Sequence, residues 1–302
     1  GFYLPFEQDY TVEGFSTVTY EGASTDLYVG GTGFKPDLVW VKRRNASAEH
    51  SLIDSVRGAS KLLSSDTTGV ELDRTYFKSF DNDGFSVQTG VSNFNVNGST
   101  YVAWNWDMGG TTASNTNGSI TSSVRANTAY GQSIVSYSGT GSAATVGHGL
   151  ASAPTMVIVK NRNSTTHWSV YHSSLGNTKF IDLNQTNASD TSTSVWNDTT
   201  PTSTVFSIGT NSRVTGSGNA LIAYCFHDVA NYSKFGSYSG NGSTTGPVVT
   251  LGFSPAFVMI KRTDASGYNW HIYDNTRSPS SDLDNVLYAN ISGAEEDGND
   301  SI

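Results

Sequence analysis

Tyr20-Glu-Gly leads to Gly33-Phe-Lys-Pro-Asp-Leu-Val-Trp-Val-Lys42, and the same phrase returns twice further along the chain. Tyr137-Ser-Gly leads to Gly149-Leu-Ala-Ser-Ala-Pro-Thr-Met-Val-Ile-Val-Lys160, and Tyr238-Ser-Gly leads to Gly252-Phe-Ser-Pro-Ala-Phe-Val-Met-Ile-Lys261. The proline follows the tyrosine by 16, 17 and 17 residues (Tyr20 to Pro36, Tyr137 to Pro154, Tyr238 to Pro255), and the lysine follows the proline by six each time. Self-similarity at a fixed period marks an array of like units. A period of about a hundred residues (Pro154 to Pro255 is 101) makes each unit a small domain and not a solenoid turn.

The rest of each unit reads as strand. Ser133-Ile-Val-Ser-Tyr137, Met156-Val-Ile-Val159, Ser169-Val-Tyr171, Lys179-Phe-Ile-Asp-Leu183 and Val205-Phe-Ser-Ile208 are short and β-branched or aromatic. Gly, Asn, Ser and Pro clusters bound them. No segment has a 3.6-residue apolar stripe with caps at both ends. The stretches 38–41, 156–159 and 257–260 are apolar on both faces, which predicts central strands covered on both sides. The expectation is an all-β chain built as a tandem array of β-sandwich, jelly-roll-like modules.

Counting sets the boundaries. Residues 1–14 read as the end of an upstream domain and a connector, repeat one as 15–108, and 109–131 as a Gly/Ser/Thr/Asn-rich linker with weak alternation at 120–124. Repeat two covers 132–230 and repeat three 231–302. Repeats one and two end in apolar strands, Thr100-Tyr-Val-Ala-Trp-Asn-Trp106 and Ala220-Leu-Ile-Ala-Tyr-Cys-Phe226. The lysine-to-alanine offset is 61 in the first (Lys42 to Ala103) and 63 in the second (Lys160 to Ala223). The same offset in repeat three falls past residue 320, so the third module is expected to be incomplete. An unpaired edge, disorder or pairing outside the repeat is expected over 283–302.

Composition narrows the function classes. The chain has 302 residues, 36% hydrophobic and 14% charged, with 15 Tyr, 14 Phe and 6 Trp, too aromatic for disorder. A formal net charge of −9 and no basic run longer than Lys42-Arg43-Arg44 argue against a nucleic-acid partner. No apolar stretch approaches the ~20 residues that a helical membrane span needs, so no membrane insertion is expected. The single cysteine, Cys225, cannot form an intrachain disulfide and reads as a buried, inert thiol.

Three features repeat or resemble known chemistry. Lys42, Lys160 and Lys261 each end a core strand; they are read either as ligand contacts or as side chains snorkelling at a sandwich rim. Beyond them lie His50-Ser-Leu-Ile-Asp54, Trp168-Ser-Val-Tyr-His172 and Trp270-His-Ile-Tyr-Asp274. Exposed Trp platforms stack on sugar rings, which makes Trp168 and Trp270 the sugar-contact candidates; strand alternation offers a core role for the same residues. Asp81-Asn-Asp83-Gly84 begins like a calcium loop but lacks its downstream glutamate, and a turn accounts for it. No nucleophile elbow, phosphate loop or histidine pair at metal spacing occurs. No catalytic, cofactor-binding or metal-ligating set is therefore assigned, and the chain is not expected to be an enzyme.

Longer runs carry a resemblance. Gly33-Phe-Lys-Pro-Asp-Leu-Val-Trp-Val-Lys-Arg-Arg-Asn45, Asp54-Ser-Val-Arg-Gly58, Phe80-Asp-Asn-Asp-Gly-Phe85 and Asn97-Gly-Ser-Thr-Tyr-Val-Ala-Trp104 resemble a repeated domain of tailed-phage virion proteins, common in phages of marine bacteria, cyanobacteria included. Asn117-Gly-Ser-Ile-Thr-Ser-Ser-Val124, Ser237-Tyr-Ser-Gly-Asn-Gly-Ser243 and Ile260-Lys-Arg-Thr-Asp264 are similar to further parts of such proteins. The resemblance implies a structural or adhesion protein on the virion surface, in a tail fibre or other tail appendage, with no assigned active site or cofactor. Tandem sandwiches would form a stiff rod that contacts host surface polysaccharide or acts as a spacer. Its expected partners are copies of itself, as a homotrimer by analogy with such fibres, and other virion proteins. The alternatives are a capsid- or tail-decorating protein without a host ligand, and a glycan depolymerase.

Overall fold

The computed structural model describes residues 14–243, 245–278 and 284–297. Residues 1–13, Leu283 and 298–302, on which parts of the boundary reading rest, lie outside them. The chain is all-β. Among the described residues the only helices are single turns, α1 (Thr193–Trp196), α2 (Ser212–Thr215) and one 3-10 turn at Ser173–Leu175.

Repeat one contains β1 (Phe15–Glu21), β2 (Leu27–Gly30), β3 (Leu38–Arg43), β4 (Ser51–Asp54), β5 (Lys61–Leu62), β6 (Leu72–Asp73), β7 (Phe77–Asp81), β8 (Gly84–Val87) and β9 (Thr100–Trp106). An antiparallel sheet of order β1-β9-β3-β4 carries a second sheet, β2-β8-β7, on one face. Period-two alternation sorts the side chains of β3. Val39 and Val41 point to the second sheet, joining Phe85, Val87 and Phe77 in one buried cluster, while Leu38 and Trp40 point the other way.

Repeat two is built alike and wider. It runs through β10 (Ala113–Asn115), β11 (Ser122–Asn127), β12 (Gln132–Ser138), β13 (Ala144–Gly147), β14 (Met156–Asn161), β15 (Ser169–His172), β16 (Lys179–Asp182), β17 (Asp190–Thr191), β18 (Val205–Ile208) and β19 (Ala220–Phe226). The main sheet has the order β10-β11-β12-β19-β14-β15-β16-β17, with β13-β18 as the second sheet. The stretch read as a linker thus supplies two strands. Ile120 and Val124 bury into the repeat-two core, and β11 pairs along its whole length with β12.

Repeat three shows β20 (Phe257–Lys261), β21 (Trp270–Asp274), β22 (Asn285–Tyr288) and β23 (Glu296–Asp297) in one four-stranded sheet. The position of the open edge differs from the expectation. Within 285–297, β22 pairs with both β21 and β23, and the segment also pairs outside the repeat as expected, Glu295 N donating to Arg44 O and Ser292 O accepting from Ala48 N of repeat one. Among the described residues the unpaired edge lies on β20, whose one partner strand is β21, whereas β3 and β14 each pair on both sides.

The repeats are not strung along a rod. Faces of the three main sheets meet in one core; in repeats one and two they are the faces that point away from the second sheet. Leu38, Trp40, Leu52 and Trp104 of repeat one, Met156, Ile158, Trp168 and Tyr224 of repeat two, and Trp270, Ile272 and Leu287 of repeat three belong to a single buried cluster. Each unit has an apolar surface that would be exposed if it stood alone, so burial joins all three into one body.

Candidate functional site

The positions that recur in sequence converge on the seams between repeats. His50 and Trp168 immediately precede β4 and β15, and Trp270 begins the equivalent strand β21. Their backbone amides donate to a side chain of their own repeat: His50 to Asp66, Trp168 to Asn184 and Trp270 to Asn290, at 3.0, 3.0 and 2.8 Å. Their rings donate across a seam. Trp168 Nε1 reaches Ser64 O of repeat one at 2.9 Å, Trp270 Nε1 reaches Asp182 O of repeat two at 3.0 Å, and His50 Nε2 reaches Tyr288 O of repeat three at 2.9 Å. The three acceptors occupy equivalent places, two residues before Asp66, Asn184 and Asn290. Each repeat therefore holds the next in the cyclic order one to three, three to two, two to one. A heterologous contact that closes on itself forms a ring.

Histidine can stand in for tryptophan here because its tautomer is fixed. Trp40 Nε1, which can only donate, lies 2.8 Å from His50 Nδ1, so that nitrogen accepts and Nε2 carries the hydrogen. Burial holds the His50 pKa down at about 3, aided by Lys42, so the ring is neutral.

The lysines repeat the pattern. Lys42 Nζ donates to Ser292 O of repeat three, Lys160 to Thr68 O of repeat one and Lys261 to Thr186 O of repeat two, at 3.1, 3.1 and 3.3 Å. Lys42 and Lys160 are fully buried, so they do not snorkel at a rim, and carbonyl oxygens take the place of water around the ammonium. Burial lowers both to about 8. A third rung joins backbone to backbone: Glu71 N to Arg162 O, Ser189 N to Thr263 O and Glu295 N to Arg44 O.

Charge reinforces two seams and not the third. Asp54, Arg57 and Glu71 of repeat one form a chain of ion pairs that continues to Arg162 of repeat two, while Tyr224 on β19 donates to Asp54. Asp274, Arg277 and Glu295 of repeat three form the same chain, continued to Arg44 of repeat one, with Trp104 on β9 donating to Asp274. Burial opposes the charge on Arg57, yet Asp54, Tyr224 and Glu71 hold its pKa above the ordinary value. At the seam between repeats two and three the equivalent residues are His172, Leu175, Ser189 and Thr263, all without a formal charge near neutral pH.

Trp168 and Trp270 are thus not sugar platforms. Trp168 is 0% and Trp270 6% exposed, and both indoles pack in the shared core, leaving no ring face for a ligand. Asp81-Asn-Asp83-Gly84 is the turn between β7 and β8; Asp83 accepts from the Gly33 and Gly31 amides, and Asp81 accepts from Ser86. Cys225 is buried beneath repeat two, and burial pushes its thiol pKa up, against ready ionisation. Among the described residues no group of His, Cys, Asp and Glu has the geometry to hold a metal ion. Open depressions lie beside Tyr76, Gln88 and Asn93, and beside Asp37, where that carboxylate is paired with Arg125.

The arginine and Asp–Arg positions of these chains also recur in the sequence. Arg44 and Arg162 each follow the repeated lysine by two, and Asp54-Ser-Val-Arg57 returns as Asp274-Asn-Thr-Arg277. Residues 11–302 match a domain of unknown function, DUF7483. The chain belongs to the DUF7483 family. No curated protein and no solved structure matches it.

Proposed function

We propose that this DUF7483 chain is a non-enzymatic structural and adhesion unit of a phage virion, carried on a tail fibre or other tail appendage. The observation that supports this reading best is the use made of its recurrent polar residues. His50, Trp168, Trp270, the three lysines and both Asp–Arg–Glu chains are consumed in joining repeats, which leaves them unavailable to a substrate. The resemblance of residues 33–45, 80–85 and 97–104 to tailed-phage virion domains supplies the particle.

On this reading a host glycan is met by the outer surface and not by the tryptophans. Tyr28 and Tyr268 are among the exposed aromatic residues, and Arg262 lies over the Tyr268 ring. Homotrimer formation, if it accompanies the fibre role, uses outer faces, since the chain already fills a three-part core from its own repeats.

Immunogold labelling of intact particles with an antibody to this chain tests the placement, with label on tail appendages expected. A panel of purified bacterial surface polysaccharides tests the adhesion: saturable binding without product release is the expected result. Chain shortening of any polysaccharide would replace this reading with a depolymerase. Label on the shell with no polysaccharide bound would leave a decorating role.

A further inference from the structure

Among the described residues the seam between repeats two and three lacks a strand that the other two seams have. β3 is flanked by β9 in the register Leu38↔Trp106, Trp40↔Trp104, Val41↔Ala103 and Lys42↔Val102. β14 is flanked by β19 as Met156↔Phe226, Ile158↔Tyr224, Val159↔Ala223 and Lys160↔Ile222. The matching residues of β20 are Phe257, Met259, Ile260 and Lys261, and among the described residues nothing pairs with that edge.

Exposure differs accordingly. Every residue of β20 is partly exposed, although β14, of like composition, is buried throughout. Val248 and Val249 in the preceding stretch are exposed, and so is Tyr238. A hydrophobic strand with a free row of backbone donors and acceptors is a template for one further strand.

We propose that β20 is the acceptor edge for an antiparallel β-strand of the repeat's own closing type. The occupant is defined by chemistry. Opposite Ile260 it carries alanine or a residue as small, because Ala103 and Ala223 are both wholly buried at that place. Opposite Phe257 and Met259 it carries large aromatic side chains that enter the shared core, as Trp106, Trp104, Phe226 and Tyr224 do. The aromatic opposite Met259 faces His172 and Leu175, where the other seams offer Asp54 with Arg57 and Asp274 with Arg277. That site has no carboxylate to satisfy, so phenylalanine fits it as well as tyrosine or tryptophan. The inference is independent of the virion reading, since it rests only on how the repeats complete one another.

The test uses the whole chain and synthetic peptides with the sequences of residues 99–107 and 219–227. Amide hydrogen exchange of 257–261 is followed with each peptide added, and again with the 99–107 sequence fused to the C-terminus through a Gly/Ser linker. Exchange of the β20 amides is expected to slow at least tenfold, toward that of β14, in the fusion and at saturating peptide. Trp104→Phe in the peptide should preserve the protection and Ala103→Trp should abolish it. The proposal is overturned if neither peptide nor fusion protects β20. It is also overturned if Ala103→Trp protects equally, or if β20 is protected in the unmixed chain only as concentration rises, which would make a second copy the occupant.

Discussion

Tyr137-Ser-Gly and Tyr238-Ser-Gly are the same three residues in equivalent places with opposite fates. Tyr137 lies in β12, is 4% exposed, and donates its hydroxyl to Val214 O at 2.8 Å. Tyr238 is 51% exposed and lies outside any strand. The difference is not local. β12 is sandwiched between β11 and β19, and in repeat three no described residue provides the counterpart of β19. Strand formation here is decided by the neighbour and not by the sequence of the strand, as expected where β-propensity measures packing against cross-strand partners.

The seams extend the comparison, and the largest effects should appear there. Asp54→Ala and Asp274→Ala each take from a buried arginine its fully buried carboxylate partner, and breaking a buried pair typically costs about 3–5 kcal/mol. His172→Ala, at the equivalent neutral position, should cost about 1 kcal/mol or less, in the range of ordinary substitutions. Denaturant unfolding of the three variants measures the contrast. Equal losses at all three positions would show that the uncharged seam bears the same load as the charged ones.

Next come the ring donors. Trp168→Ala empties a fully enclosed site and removes the bond to Ser64 O, for an expected loss of about 3–5 kcal/mol. Trp270→Ala should fall at the lower end of that range, because β20 beside it is only half covered and the site can relax. Thermal and urea midpoints of the pair decide it, and a greater loss for Trp270 would contradict an open third repeat.

The lysines predict a dependence on pH whose sign follows from burial. In the unfolded chain a lysine titrates near 10.4, while Lys42 and Lys160 in the fold titrate at about 8. Between those values the unfolded state holds more protons, so stability rises with pH, by at most about 1.4 kcal/mol per pH unit for each lysine. Below pH 8 both states are protonated and the dependence from these groups vanishes. Urea midpoints from pH 7 to 10 should therefore climb, and Lys160→Met should flatten the climb by about half. Lys261, half-exposed in repeat three, is shifted down less far and adds little.

Much of this architecture is legible in the chain. The phrase ending in Lys42, Lys160 and Lys261 places three like strands, and their unbroken apolar runs predict cover on both faces, which β3 and β14 have and the half-exposed β20 lacks. What strand patterning cannot say is which cover lies on each face. Leu38 and Trp40 point away from the second sheet of their own repeat, and only the joint structure shows that repeats two and three receive them. For the same reason Trp168 and Trp270 looked like platforms for a ligand: an aromatic that protrudes from its own unit is exposed until another unit arrives. The Asp54–Arg57 and Asp274–Arg277 repeats were equally visible, but their role depends on Tyr224 and Trp104, 170 residues away in each case. Long-range partners of that kind leave no spacing to read.

The smallest expected effect returns to the two tyrosines and tests the comparison most directly. Tyr137→Phe deletes one buried hydroxyl and leaves Val214 O without its donor, which should cost about 1 kcal/mol. Tyr238→Phe alters an exposed side chain and should stay within about 0.5 kcal/mol. The contrast should narrow when β20 is closed. A strand docked on β20 would offer the 237–239 segment the edge that β19 offers β12, and Tyr238 would then be able to bury as Tyr137 does. In the chain carrying the fused 99–107 strand, Tyr238→Phe should accordingly cost as much as Tyr137→Phe, measured by urea unfolding of both variants with and without the fusion. If the Tyr238 substitution stays silent while β20 is protected, the added strand completes the main sheet without recruiting the segment that carries Tyr238, and the likeness of repeats two and three ends at β20.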